Sequence, residues 1–67
     1  MMRIVVNGDE KELAGGITVK GLLEALGLAA GSVAVERNRV IVKKGSYGST
    51  VVEDGDRLEI VQFVGGG

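Results

Sequence analysis

Thr18-Val19-Lys20-Gly21-Leu22-Leu23-Glu24-Ala25-Leu26-Gly27-Leu28 is the stretch on which the fold of this 67-residue chain turns. Val19, Leu22, Leu23 and Leu26 fall at i, i+3, i+4 and i+7, which makes one apolar stripe on an amphipathic helix. Thr18 is suited to cap the amino end, because its hydroxyl can accept a hydrogen bond from an unpaired backbone N–H of the first turn. Gly27 stands where a left-handed carboxyl cap is needed, with Leu28 folding back on the last turn. The spacing therefore predicts a helix from Val19 to Leu26. Gly21 within it costs up to about 1 kcal/mol against alanine, and a close helix-to-sheet approach is the expected compensation.

Outward from the helix the pattern changes to strands. Ile4-Val5-Val6 leads into Asn7-Gly8, a pair that tolerates the positive φ of a tight hairpin, and a second strand is expected through Glu10-Lys11-Glu12-Leu13. After the helix, Val33-Ala34-Val35 starts a third strand, which turns near Asn38 into Val40-Ile41-Val42. The continuous apolar character of both segments predicts cover on both faces. Gly45-Ser46-Tyr47-Gly48-Ser49-Thr50 reads as an irregular connection. Asp54-Gly55-Asp56 makes a turn, and a final strand is expected from Arg57 to about Val64. The order strand, strand, helix, strand, strand, strand is met most economically by an α+β fold with a mixed sheet of four to five strands on one main helix. That is the β-grasp arrangement. It would occupy residues 1–64, leaving 65–67 as a flexible tail.

Composition narrows the chemistry. A chain of this size supports one domain with a modest core and no deep substrate pocket. A net charge of −1 and only two aromatics, Tyr47 and Phe63, argue against a nucleic-acid partner, and the charge argues equally against an anionic membrane surface. Histidine and cysteine are both absent, which removes the commonest general base, the thiolate nucleophile and the usual metal ligands. No bound metal or cofactor is expected. Ile4-Val5-Val6 is too short for a signal peptide or a membrane span, so a cytoplasmic location is the default expectation.

Several segments invite a site and are better explained by structure. Gly45 to Thr50 lacks the Gly-Lys-Ser/Thr ending of a phosphate loop. Glu53 and Asp54-Gly55-Asp56 have the wrong spacing for calcium and the right chemistry for a turn. Lys43 and Lys44, with Arg37 and Arg39 nearby, form a modest basic patch, read as a solvated strand end or as a dock for an acidic partner. Val61 and Phe63 share a strand face opposite Leu58 and Ile60, and form either a docking surface or a patch tucked under a loop.

What remains is the run Gly65-Gly66-Gly67. Glycine offers no side-chain chemistry, yet it makes a slender lead carrying an α-carboxylate into a narrow slot. The competing reading is a frayed end without function. A carboxylate is inert at neutral pH and needs activation by another protein, so the pattern suits a carrier or substrate better than an enzyme.

Taken together, Ile4-Val5-Val6-Asn7-Gly8, Thr18-Val19 through Leu22-Leu23-Glu24-Ala25-Leu26, Val33 to Asn38, and Glu53-Asp54-Gly55-Asp56-Arg57-Leu58-Glu59-Ile60-Val61 through the terminal glycines resemble the ThiS-type sulfur carriers of thiamine biosynthesis. Lys43-Lys44 departs from the family pattern, in which proline is expected more often there. The resemblance implies a ubiquitin-like β-grasp fold. It implies that the Gly67 carboxylate is adenylated by a ubiquitin-activating-enzyme-like adenylyltransferase that uses ATP. The adenylate then becomes a thiocarboxylate, with sulfur from cysteine through a cysteine desulfurase, and thiazole synthase consumes it. Gly65 and Gly66 would line the channel behind Gly67, and Val61 and Phe63 would dock the activating partner. Carriers feeding molybdopterin, cysteine or tRNA thiolation share these features. A ubiquitin-like modifier and a pure interaction module remain different classes of answer.

Overall fold

The computed structural model describes residues 1–63. Strands β1 (Met2–Val6) and β2 (Asp9–Leu13) precede helix α1 (Val19–Ala25), followed by β3 (Val33–Arg37), β4 (Val40–Val42) and β5 (Arg57–Gln62). They form one five-stranded mixed sheet in the order β2-β1-β5-β3-β4, in which β1 and β5 run parallel and every other pair is antiparallel. This is the β-grasp arrangement expected from the order of elements. Val64, the expected end of the last strand, and the tail at 65–67 lie outside the described residues.

The helix forms where the periodicity places it. Thr18 caps it, its hydroxyl accepting from the Gly21 N–H at 3.1 Å. At the other end the helix stops at Ala25, one residue short of the expected limit, with Leu26 as the cap residue and Gly27 at φ 74°. The Gly27 N–H donates to the Glu24 carbonyl and the Leu28 N–H to the Leu23 carbonyl, which is the Schellman closure. Val19, Leu22 and Leu23 are fully buried, and Leu26 packs at the edge of the core. They meet Met2, Ile4, Val6, Val33, Val35, Leu58 and Ile60 from the inner face of the sheet.

Two expectations need correcting. The contact explaining Gly21 is local, since a Cβ there would stand 3.0 Å from Cγ1 of Ile17, the residue just before the cap, and would not touch the sheet. The apolar runs of β3 and β4 are also not covered on both faces, because Ala34, Val40 and Ile41 are exposed. One helix can cover only one face of a sheet, and β4 is an edge strand as well.

The connection from 43 to 52 is irregular but well used. It begins with a 3-10 turn, Lys44–Ser46, and then wraps the amino end of α1. The Val19 N–H donates to the Thr50 carbonyl and the Lys20 N–H to the Tyr47 carbonyl, both at 2.9 Å. These two donors would otherwise lack intrahelical partners. Tyr47 and Val52 drop into the core from this segment, and the Tyr47 hydroxyl donates to the Val33 carbonyl at 3.3 Å. Lys43 holds φ −68° and ψ 142°, a geometry that proline would also take.

Candidate functional site

The face of the sheet away from α1 is set by register. Ala34 stands opposite Val61 across the β3–β5 ladder, Glu36 opposite Glu59, and Ile41 of β4 opposite Glu36. Side chains alternate along a strand, so Ala34, Ile41 and Val61 share this outer face, and Phe63 continues it one step past β5. On the β1–β2 side Arg3 pairs with Glu12 at 3.0 Å and lies 3.9 Å from Glu10. The outer face thus carries ion pairs on the β1–β2 side, Glu36 and Glu59 across its middle with Ile41 next to Glu36, and the apolar Ala34, Val61 and Phe63 toward the end of β5.

Val61 is 60% exposed, Phe63 56% and Ile41 73%. The expected pair is therefore an open surface and not a patch tucked under a loop. Sequence reading found Val61 and Phe63 but missed Ala34, which only the strand register sets beside Val61, and Ile41, which shares the face next to Glu36. A group of exposed apolar side chains such as Ala34, Val61 and Phe63 marks an interaction surface more readily than an isolated one does.

Phe63 is the last described residue before the tail, and it is held on two sides. Its N–H donates to the Ser32 carbonyl at 2.9 Å, beyond the final ladder pair of Val33 with Gln62. The Lys44 ammonium sits 4.9 Å from the centre of its ring and also donates to the Gly31 carbonyl at 3.1 Å. The site residues Gly65, Gly66 and Gly67 lie outside the described residues.

The strand that delivers this site is anchored at its start by the acidic turn. Gly55 takes φ 86°, and its N–H donates to the Arg3 carbonyl at 2.8 Å. The Arg3 N–H in turn donates to Asp54 Oδ1 at 2.7 Å. Asp56 is buried and accepts from Arg37 Nε at 2.7 Å, from the Glu53 N–H at 2.8 Å and from Asn38 Nδ2 at 3.0 Å. Burial alone would raise its pKa. The hydrogen bonds from Arg37, Glu53 and Asn38, with the Arg37 charge, outweigh that and hold the carboxyl below its ordinary value. Arg37 also reaches Glu53 at 3.4 Å, so it is committed to this node and drops out of the basic patch with Arg39 and the two lysines. Among the described residues no group of three or more acidic, histidine or cysteine side chains is placed to hold a metal.

Asn7 does similar work on the other side of β5. It takes φ 49° in the expected hairpin turn. Its side chain accepts from the Ile60 N–H at 2.7 Å and donates to the Ile60 carbonyl at 3.0 Å. These bonds extend the β1–β5 pairing beyond the two backbone register pairs, Val5 with Arg57 and Val6 with Leu58. Among the described residues no helix is long and apolar enough to cross a membrane.

A single helix clasped by a five-stranded mixed sheet defines a ubiquitin-like β-grasp domain. The ThiS family model matches residues 4–67, and the chain belongs to that family. It is 38% identical to the thiamine biosynthesis protein ThiS from Geobacter metallireducens, whose crystal structure superposes with a TM-score of 0.82 over 98% of this chain and all of that one. The sulfur carrier protein ThiS of Escherichia coli K12 is 33% identical over 98% of this chain and its own entire length. A thiazole synthase of Paramagnetospirillum magneticum is 52% identical over 98% of this chain, which spans only 20% of that protein.

Proposed function

We propose that this chain is a sulfur carrier for thiamine biosynthesis whose working group is the α-carboxylate of Gly67. The observation that carries the reading is the family match through residue 67, which takes in the glycine run. The exposed Ala34, Ile41, Val61 and Phe63 beside the root of that run support it. So does the lack of histidine and cysteine, which leaves the chain dependent on a partner for chemistry.

In the proposed cycle a ubiquitin-activating-enzyme-like adenylyltransferase docks the outer face around Val61 and Phe63 and supplies ATP. A Gly67 carboxylate oxygen attacks the α-phosphorus, pyrophosphate leaves, and the acyl carbon gains AMP as a good leaving group. A persulfide formed from cysteine by a desulfurase attacks that carbon through its outer sulfur, AMP leaves, and a thiol reductant cleaves the resulting acyl disulfide to release the thiocarboxylate. Thiazole synthase is the proposed consumer, and the likeness to a longer thiazole synthase supports that partnership.

Reach sets the requirement at the terminus. Three glycines extend about 10 Å at 3.3–3.6 Å per residue and present no side chain to a narrow channel. The reacting atoms must come to about 3–3.5 Å. One residue added after Gly67 carries the carboxylate past that point, and Gly66→Val puts bulk into the channel. With the activating enzyme, ATP and a sulfur source, the unaltered chain gains mass by the difference between sulfur and oxygen. Both variants remain folded and gain none. Full sulfur loading of the extended chain, without trimming, would sink the reading.

A further inference from the structure

We propose that Lys44 is a positioning residue that fixes the Phe63 ring and, through it, the root of the glycine tail. The inference rests on the carrier reading above but concerns a residue that reading does not use. Three segments far apart in sequence converge at this point. They are the 3-10 turn Ala30–Ser32, the 3-10 turn Lys44–Ser46, and Phe63 one step beyond β5. The Lys44 ammonium spans them, donating to the Gly31 carbonyl at 3.1 Å while standing 4.9 Å from the ring centre. Ser32, next to Gly31, accepts the Phe63 N–H at 2.9 Å. Backbone and side chain of Phe63 are thus tied to the same turn, one directly and one through the lysine.

A half-exposed phenylalanine past the last ladder pair would otherwise sample several rotamers, and the chain end would fray around it. Phe63 belongs to the proposed docking patch and also starts the tail, so an unfixed ring disorders both at once. A cation over the ring restricts it, because the ring quadrupole attracts the ammonium at its faces and repels it at its edge. The carbonyl of Gly31 holds that ammonium in place. Neighbouring Lys43 is exposed as well and makes no such contact among the described residues, which separates placement from charge.

The test compares Lys44→Met, Lys44→Arg and Lys43→Met. In the isolated chain, the Phe63 amide exchanges hydrogen faster in Lys44→Met than in the parent, and the upfield ring-current shift of the residue-44 side chain is lost. With the activating enzyme, Lys44→Met raises the KM for the carrier about three- to five-fold and leaves kcat unchanged, the scale of an exposed cation–π contact. Lys44→Arg retains the parent KM, because a guanidinium offers both the donor and the cation. Lys43→Met leaves KM unaltered. An equal rise for Lys43→Met and Lys44→Met would assign the effect to overall charge and overturn the inference, as would unchanged amide exchange in Lys44→Met. Should the parent chain never take up sulfur, the carrier reading fails, while the exchange and shift measurements on the isolated chain still decide whether Lys44 fixes Phe63.

Discussion

Asp56 carries a charge in a buried position, and the fold depends on its staying charged. Its partners are a guanidinium, a backbone N–H and a side-chain amide, all donors. A folded-state pKa held below the unfolded value makes this carboxylate stabilising wherever the unfolded chain binds the proton more readily. The contribution is complete above about pH 5, begins to fail near the unfolded value of about 3.9, and is lost as pH falls through the depressed folded value. Asp56→Asn removes the charge and turns an amide N–H toward existing donors. It is expected to cost about 2–4 kcal/mol in urea melts at pH 7. The same comparison should show the gap narrowing once the pH falls below the unfolded value of about 3.9 and on through the depressed folded one. A gap that stays constant across that range would mean that the ionised carboxylate is not what holds the node. Sequence reading saw only turn chemistry in Asp54-Gly55-Asp56. The partners Arg37 and Asn38 lie nearly twenty residues away, and no local pattern joins them.

The helix is the element most legible from sequence, because its signals are local. The stripe, the Thr18 cap and the Gly27 closure all depend on residues within about one turn of each other, and all three are present. The hairpin at Asn7-Gly8 is legible for the same reason. The strands were readable in existence and order but not in burial, as Ala34 and Ile41 show. An apolar run says that a strand can be covered, whereas the number of layers decides whether it is. The segment from 43 to 52 was the least legible, since its value lies in carbonyls offered to α1 and in Tyr47 entering the core, neither of which has a periodic signature. Leu22 and Leu23 test the element directly. Each is fully buried, so replacement of either by alanine should cost about 2–5 kcal/mol of unfolding free energy. A loss below about 0.5 kcal/mol at both positions would be incompatible with a core role for this stripe.

At the scale of the molecule the two faces of the sheet divide the labour. The inner face meets α1 and makes the core, with Leu58 and Ile60 of β5 pointing into it. The outer face of the same strand carries Val61, and Phe63 follows one step beyond. β5 sits centrally between β1 and β3, but β1 pairs only with its start, and its last residues are laddered to β3 alone. This part of the candidate site was only partly legible. Alternation along one strand identified Val61 and Phe63, but Ala34 joins them only through the β3–β5 register, and Ile41 lies beyond Glu36 on β4. The separation of faces makes stability and docking independent to first order. Phe63→Ala and Ile41→Ser, both at exposed positions, should shift unfolding free energy by no more than about 0.5 kcal/mol. Each should weaken the complex with the activating enzyme by about five- to thirty-fold if its side chain is buried there as a central apolar anchor. Ile41 lies on a different strand from the tail and has no role in holding Phe63, so a loss at Ile41 reports the surface itself. Calorimetric titration of each variant against the activating enzyme, beside urea melts of the same samples, separates the two effects. Unchanged affinity in both variants would place the interface elsewhere, whereas a loss confined to Phe63 would restrict it to the root of the tail.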